Sequence, residues 1–192
     1  MARGTELIMQ KTDIGTVIAR TLELFRRQGY HKTTMADVAA ACGLLKGSLY
    51  HYFPSKEALA KAVMDEVHAR FARAVFACAD EPGLGAEARL ERMMAETEAY
   101  FLNGAGGCVI GNIALEAIDL IPDFAPAIRA YFREWTAAIA RIMASRYPAD
   151  QAERKAERAV AEIQGAIMMM RIYGDSAKLV QTTRGILAEF GS

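Results

Sequence analysis

The chain has 192 residues, 53% of them apolar and 24% charged, which is enough apolar surface for a packed core and argues against global disorder. Its net charge is zero, but residues 1–56 hold eight basic side chains against four acidic ones, while residues 57–192 hold 15 against 19. A basic head on an acidic body permits local attraction to phosphate, and no apolar run approaches the roughly 18 residues that a membrane span needs.

Strand patterns are nearly absent, and a 3–4 apolar spacing runs through almost the whole chain. In the first predicted helix Ile14, Val17, Ile18, Leu22 and Phe25 share one face; Thr12 or Asp13 can cap its start, and Gly29 suits its end. A second helix begins at Thr34, whose hydroxyl can take a free N–H while Asp37 reaches back, the pattern of a capping box. Gly43 breaks it. A third short helix, Lys46–Phe53, is stopped by Pro54.

Ser55 can cap a long helix to about Cys78, with Leu59, Val63, Val67 and Phe71 as its buried ladder. After the Pro82-Gly83-Leu84-Gly85 loop come helices over about Ala86–Leu102, Cys108–Leu120, Phe124–Arg146, Asp150–Tyr173 and Ser176–Phe190. About nine helices and no sheet predict an all-α protein, with a first helical domain over residues 1–56 and a larger one over 57–192.

The N-terminal stretch has no apolar region of the kind a signal peptide carries, so the expected compartment is the cytoplasm. Cys42, Cys78 and Cys108 are odd in number and widely spaced, which supports neither a disulfide framework nor a metal site. No nucleophile elbow, phosphate-cradling glycine loop or zinc motif is present. We therefore expect no enzymatic activity, no cofactor and no metal.

The chemistry concentrates between Thr33 and Leu59. Two short helices joined by a turn at Gly43 outline a helix-turn-helix, whose second helix enters the DNA major groove. At about 100° per residue, Leu49 and Phe53 fall on the inner face, and Gly47, Ser48 and His51 on the outer one. Lys46, Tyr50 and Tyr52 lie at its edges. Gly47 allows close backbone approach, Ser48 and His51 can bond base edges, and Lys46, Tyr50 and Tyr52 suit phosphate. Lys56, in the first turn of the next helix, suits a phosphate as well.

The stretch from Phe25 to Leu59 closely resembles the DNA-binding region of the TetR/AcrR family of bacterial transcriptional regulators. Its matching features are Phe25, Gly29-Tyr30, Thr33-Thr34, Val38-Ala39, Gly43, Lys46 to Tyr50, Tyr52-Phe53 and Ser55 to Leu59. The resemblance implies DNA contacts from Thr33, Thr34, Lys46, Gly47, Ser48, Tyr50, His51, Tyr52 and Lys56, with Leu49, Phe53, Val38 and Ala39 as packing residues. One departure is Leu45, where the family usually places Ser or Thr; leucine cannot cap the recognition helix.

A two-turn recognition helix touches few base pairs, so a symmetric dimer on a near-palindromic double-stranded operator is expected. The resemblance implies a homodimer through the last two helices, with Gly165 and Ala166 permitting close approach. It also implies a small-molecule effector in the larger domain. Candidate lining residues are Met93, Met94, Thr97, Tyr100, Phe101, Asn112, Glu116, Trp135, Met143, Gln164 and Met168.

The expected function is therefore a repressor released from its operator by a small apolar or amphipathic ligand. The alternatives are a ligand-responsive activator, a thiol-based redox sensor using Cys108 or Cys42, and a helical carrier that binds no DNA.

Overall fold

The structure is a computed structural model that describes residues 13–104 and 106–191. Among these the chain forms nine α-helices and two short 3₁₀ turns, with no strand. The helices are α1 (Ile14–Lys32), α2 (Met35–Ala41), α3 (Lys46–Tyr52), α4 (Lys56–Ala74), α5 (Ala86–Leu102), α6 (Val109–Ala117), α7 (Ala125–Met143), α8 (Ala149–Tyr173) and α9 (Ala177–Gly191).

The caps follow from local chemistry. The Asp13 carboxylate accepts from the Thr16 N–H at 2.7 Å and starts α1; Thr12 lies outside the described residues. At the start of α2 the Asp37 N–H donates to the Thr34 hydroxyl at 3.1 Å, and the Thr34 N–H donates to Asp37 at 2.8 Å. Those bonds to Thr34 hold the Asp37 carboxyl below its ordinary pKa. Ser55 caps α4 by accepting from the Ala58 N–H at 3.1 Å. At α3 the N-cap is Leu45, with no side-chain cap bond and 72% exposure.

α1 and α4 end differently from the sequence pattern, and α6 and α7 each stop three residues short of it, at Ala117 and Met143. Gly29 does not end α1 but interrupts it, with φ +85° and ψ 168°, and a last turn continues to Lys32. That combination is open essentially to glycine alone. α4 stops at Ala74, and Phe76–Asp80 tightens into a 3₁₀ turn that buries Phe76 and Cys78. The Arg89 guanidinium donates to the carbonyls of Ala79 and Glu81 and so satisfies the end of that turn.

The core centres on Phe71, which is fully buried. Its ring lies 4.8 Å from Tyr100 and from Trp135, 5.2 Å from Phe76 and 5.4 Å from Tyr131. Such pairs contribute about 0.5–1.5 kcal/mol each beyond their buried area. α7 and α8 pack along each other, and α9 closes against α5 and α8. Ala166 is buried in this body, whereas Gly165 is partly open on the outer side of α8.

Candidate nucleic-acid interface and ligand cleft

Apolar anchoring sets the orientation of α3. Leu49 has no exposed surface and Phe53 only 8%, and Val38 and Ala39 of α2 are buried with them. With those side chains inward, Lys46, Gly47, Tyr50 and His51 are exposed, and Ser48 and Tyr52 are half-buried. Nothing would meet a Cβ at Gly47 within 4 Å, so the backbone there is open to an approaching surface. Thr34 is exposed at the start of α2. The outer face of α3 is thus a set of donors and acceptors around a bare stretch of backbone, the composition that duplex DNA can engage.

Two expected contact residues are committed elsewhere. Thr33 is buried: its hydroxyl donates to the Gly29 carbonyl at 2.7 Å and accepts from the Gln28 amide at 3.2 Å. It closes the end of α1, where a carbonyl freed by the Gly29 interruption needs a donor, so its hydroxyl is not offered to a phosphate. Lys56 is only half-exposed; its ammonium donates to the His31 carbonyl at 3.2 Å and lies 4.2 Å from the Tyr30 ring centroid. Burial lowers its pKa. It neutralises the carbonyl end of α1 and ties that helix to α4.

Tyr30 belongs to the same joint. Its hydroxyl donates to the Glu57 carboxylate at 3.4 Å, and its ring packs edge-on against Phe25 and Phe124. Burial, then the charge of Glu57, pushes its pKa up to about 12. From the body, Glu116 of α6 accepts from the His31 N–H at 2.8 Å. Glu116 is therefore a fastener between head and body and not a cavity residue, because an orphan N–H after the break at Gly29 draws its carboxylate there. Neither Tyr30 nor Glu57 stood out in the sequence as a joint, since their partners are 27 residues apart.

A cleft of about 680 Å³ opens between α6 and α8, with Phe132 of α7 at one wall. Of the expected lining residues, Asn112, Gln164 and Met168 are in it. Met93, Thr97 and Trp135 are not; all three are fully buried in the closed core, and the Thr97 hydroxyl donates to its own helix at Met93. Met94, Phe101 and Met143 are core residues too. Tyr100 packs on Phe71 and borders a separate shallow depression beside Arg26 and Glu96. Ordinary apolar packing accounts for these positions, because a helical stripe of Met and aromatics reads alike in core and cavity.

Leu115, Ile172 and Arg171 also line the cleft; none was singled out in the sequence, where each reads as an ordinary exposed helix position. Cys108 sits at its inner end and caps α6, its sulfur accepting from the Gly111 N–H at 3.4 Å. Burial pushes the Cys108 thiol up, and burial also raises Cys42 and Cys78. A second groove of about 720 Å³ runs along α7 and α8, lined by alanines between Arg133, Arg141, Glu153 and Glu157. Among the described residues no group of His, Cys, Asp and Glu could hold a metal ion, and no helix is long and apolar enough to cross a membrane.

The chain is similar to known proteins along most of its length. Residues 17–63 match the family model for bacterial regulatory proteins of the tetR family, and residues 86–184 match the C-terminal domain of LmrA/YxaF-like transcriptional regulators. The chain is 26% identical over 162 residues to the HTH-type transcriptional repressor DhaR of Mycobacterium sp. (strain GP1), covering 81% of each chain. It is 27% identical over 161 residues to the uncharacterised regulator YxaF of Bacillus subtilis (strain 168), covering 82% of this chain and 84% of that one. A crystal structure of a TetR transcriptional regulator from Chloroflexus aurantiacus J-10-FL superposes with a TM-score of 0.79 at 27% identity, covering 93% of each chain. A TetR transcriptional regulator from Legionella pneumophila shares the fold with a TM-score of 0.82 at 20% identity, covering 91% of this chain and 96% of that one. A head built to present α3, a separate helical body and matches to both halves lead to one conclusion: this chain belongs to the tetR family of bacterial regulatory proteins and is a DNA-binding transcriptional regulator, not an enzyme.

Proposed function

We propose that the protein is a repressor that binds a near-palindromic operator as a homodimer and is released by a small apolar or amphipathic ligand. The observation that carries the DNA-reading half is the orientation of α3. Leu49 is fully buried, and Lys46, Gly47, Tyr50 and His51 face outward. These four, with Thr34, Ser48 and Tyr52, form the DNA surface; Thr33 and Lys56 brace it. Residues 1–56 act as the reading head and 57–192 as the effector and dimer body.

Pairing through α8 and α9 is supported by their outer faces. Met168 and Ile172 are exposed, and a Cβ added at Gly165 or Gly185 would meet nothing within 4 Å. Two copies joined there carry two α3 helices, the arrangement that a palindrome requires. Ligand binding within the body shifts the spacing of the heads by as much as its affinity differs between the two states. The name of DhaR, a repressor, favours repression over activation. The raised pKa of the Cys108 thiol disfavours the redox alternative.

Footprinting on the DNA upstream of its own gene tests the reading, with Lys46→Ala and Tyr50→Ala as controls and sedimentation for the oligomer. Protection that both substitutions abolish, from a dimer, is the expected result. A monomer without protection of any sequence overturns it.

A further inference from the structure

The apolar surface that the body leaves uncovered is not shared equally by α8 and α9. Met168 and Ile172 are exposed one turn apart on one face of α8. On α9 the exposed side chains of Lys178, Gln181 and Arg184 are polar. The apolar surface continues instead onto α6, where Leu115 is 87% exposed and shares the α6–α8 cleft with Met168 and Ile172. Exposed leucines standing alone are ordinary, but three large apolar side chains around one concave surface mark a contact. The cleft's one charged side chain, Arg171, donates to the Gly106 carbonyl at 3.1 Å.

A two-fold contact brings the same patch of each copy together, so that patch must offer a hollow and side chains to fill it at once. Here both lie together: a cleft of about 680 Å³, bordered by the open side chains of Leu115, Met168 and Ile172. It is continuous with the outer face of α8 through which the two copies pair in the reading above, so a copy joined there lies over the cleft.

α6 also reaches the head. Leu115 and Glu116 are neighbours about 100° apart around the helix. Leu115 opens on the cleft, whereas the Glu116 carboxylate accepts from the His31 N–H at 2.8 Å, where α6 packs along α1. One short helix therefore carries a surface for a partner and a fastener for the head.

We propose that α6 is a third element of the homodimer contact: a second copy of this chain covers the α6–α8 cleft, buries Leu115 with Met168 and Ile172, and so steadies the helix from which Glu116 holds the head. This rests on the dimer reading above and names a further surface and what it controls. The cleft is then closed in the dimer.

The test is sedimentation equilibrium on the full chain. Leu115→Glu puts a charge into the apolar contact and should weaken dimerisation at least about tenfold, as Met168→Glu should. Leu115→Met should keep the wild-type affinity. Leu120→Glu, at a residue 68% exposed but outside the cleft, should leave it unchanged. Leu115 is open in the single chain, so its variants should fold. Hydrogen exchange of a peptide containing His31 tests the link to the head. The His31 amide is expected to exchange at least about twofold faster in the Met168→Glu monomer than in the wild-type dimer. A dimer broken by Met168→Glu but indifferent to Leu115→Glu overturns the proposal and leaves an α8–α9 dimer standing. Equal exchange at His31 in monomer and dimer overturns the hold on the head. A wild-type chain that stays monomeric at micromolar concentration overturns the dimer reading, and this proposal with it.

Discussion

The carboxylate of Glu116, on α6 of the body, accepts from the backbone N–H of His31, in the last turn of α1 in the head, at 2.8 Å. The contact exists because Gly29 breaks α1 with φ +85°; a Cβ at that glycine would stand 2.7 Å from a Glu116 oxygen. Gly29→Ala is therefore expected to cost about 1–3 kcal/mol from backbone strain alone, with the clash adding to it. Glu116→Ala should cost about 0.5–1.5 kcal/mol. Urea unfolding midpoints measure both, and a neutral Gly29→Ala would show that the last turn of α1 rearranges freely.

Leu45 leaves the N-terminus of α3 uncapped. Leu45→Ser should stabilise the protein by about 0.5–2 kcal/mol and leave operator affinity unchanged or tighter. Thermal unfolding and a gel-shift titration check the two halves. A clear loss of affinity would show that this exposed leucine touches DNA itself.

Lys46 is exposed on the outer face of α3. Removing a phosphate contact lowers the salt slope of log K by about 0.9, hence by about 2 in a dimer. Lys46→Ala should weaken binding to all sequences alike and flatten the slope by that amount. An unchanged slope with altered sequence preference would reassign Lys46 to a base.

The Tyr30 phenol, raised from about 10 to about 12 by burial and Glu57, makes stability fall at high pH. Between those values the unfolded chain has lost a proton that the folded chain keeps, so folding weakens as pH rises through the window. Below about pH 10 this contribution is fully present. Tyr30→Phe should remove the alkaline slope due to this group, as measured by unfolding from pH 8 to 12. The Tyr30–Glu57 hydrogen bond is lost at the same time, so the comparison is of slopes and not of absolute stability.

Cys108 is 6% exposed and its thiol is held protonated by burial. Iodoacetamide at neutral pH should leave it unmodified in the native protein and label it on unfolding. Rapid native labelling of Cys108, accompanied by loss of operator binding, would favour thiol sensing over ligand release.

Much of the head was legible in the sequence because its determinants are local. The Thr34–Asp37 box spans four residues, Gly43 and Pro54 set boundaries, and the spacing of Leu49 and Phe53 tells which face of α3 is anchored. Helical period also identified the elements of the body and the apolar side of each. It could not tell which other element covers that side. Met93, Thr97 and Trp135 therefore read as cavity candidates until tertiary packing closed them into the core, whereas Asn112, Gln164 and Met168 stayed at a cleft with Arg171. The same holds for Thr33, Lys56 and Glu116. Their side chains invite a phosphate or a ligand, but the break at Gly29 leaves backbone groups that must be paired, and only the folded chain brings those partners within reach.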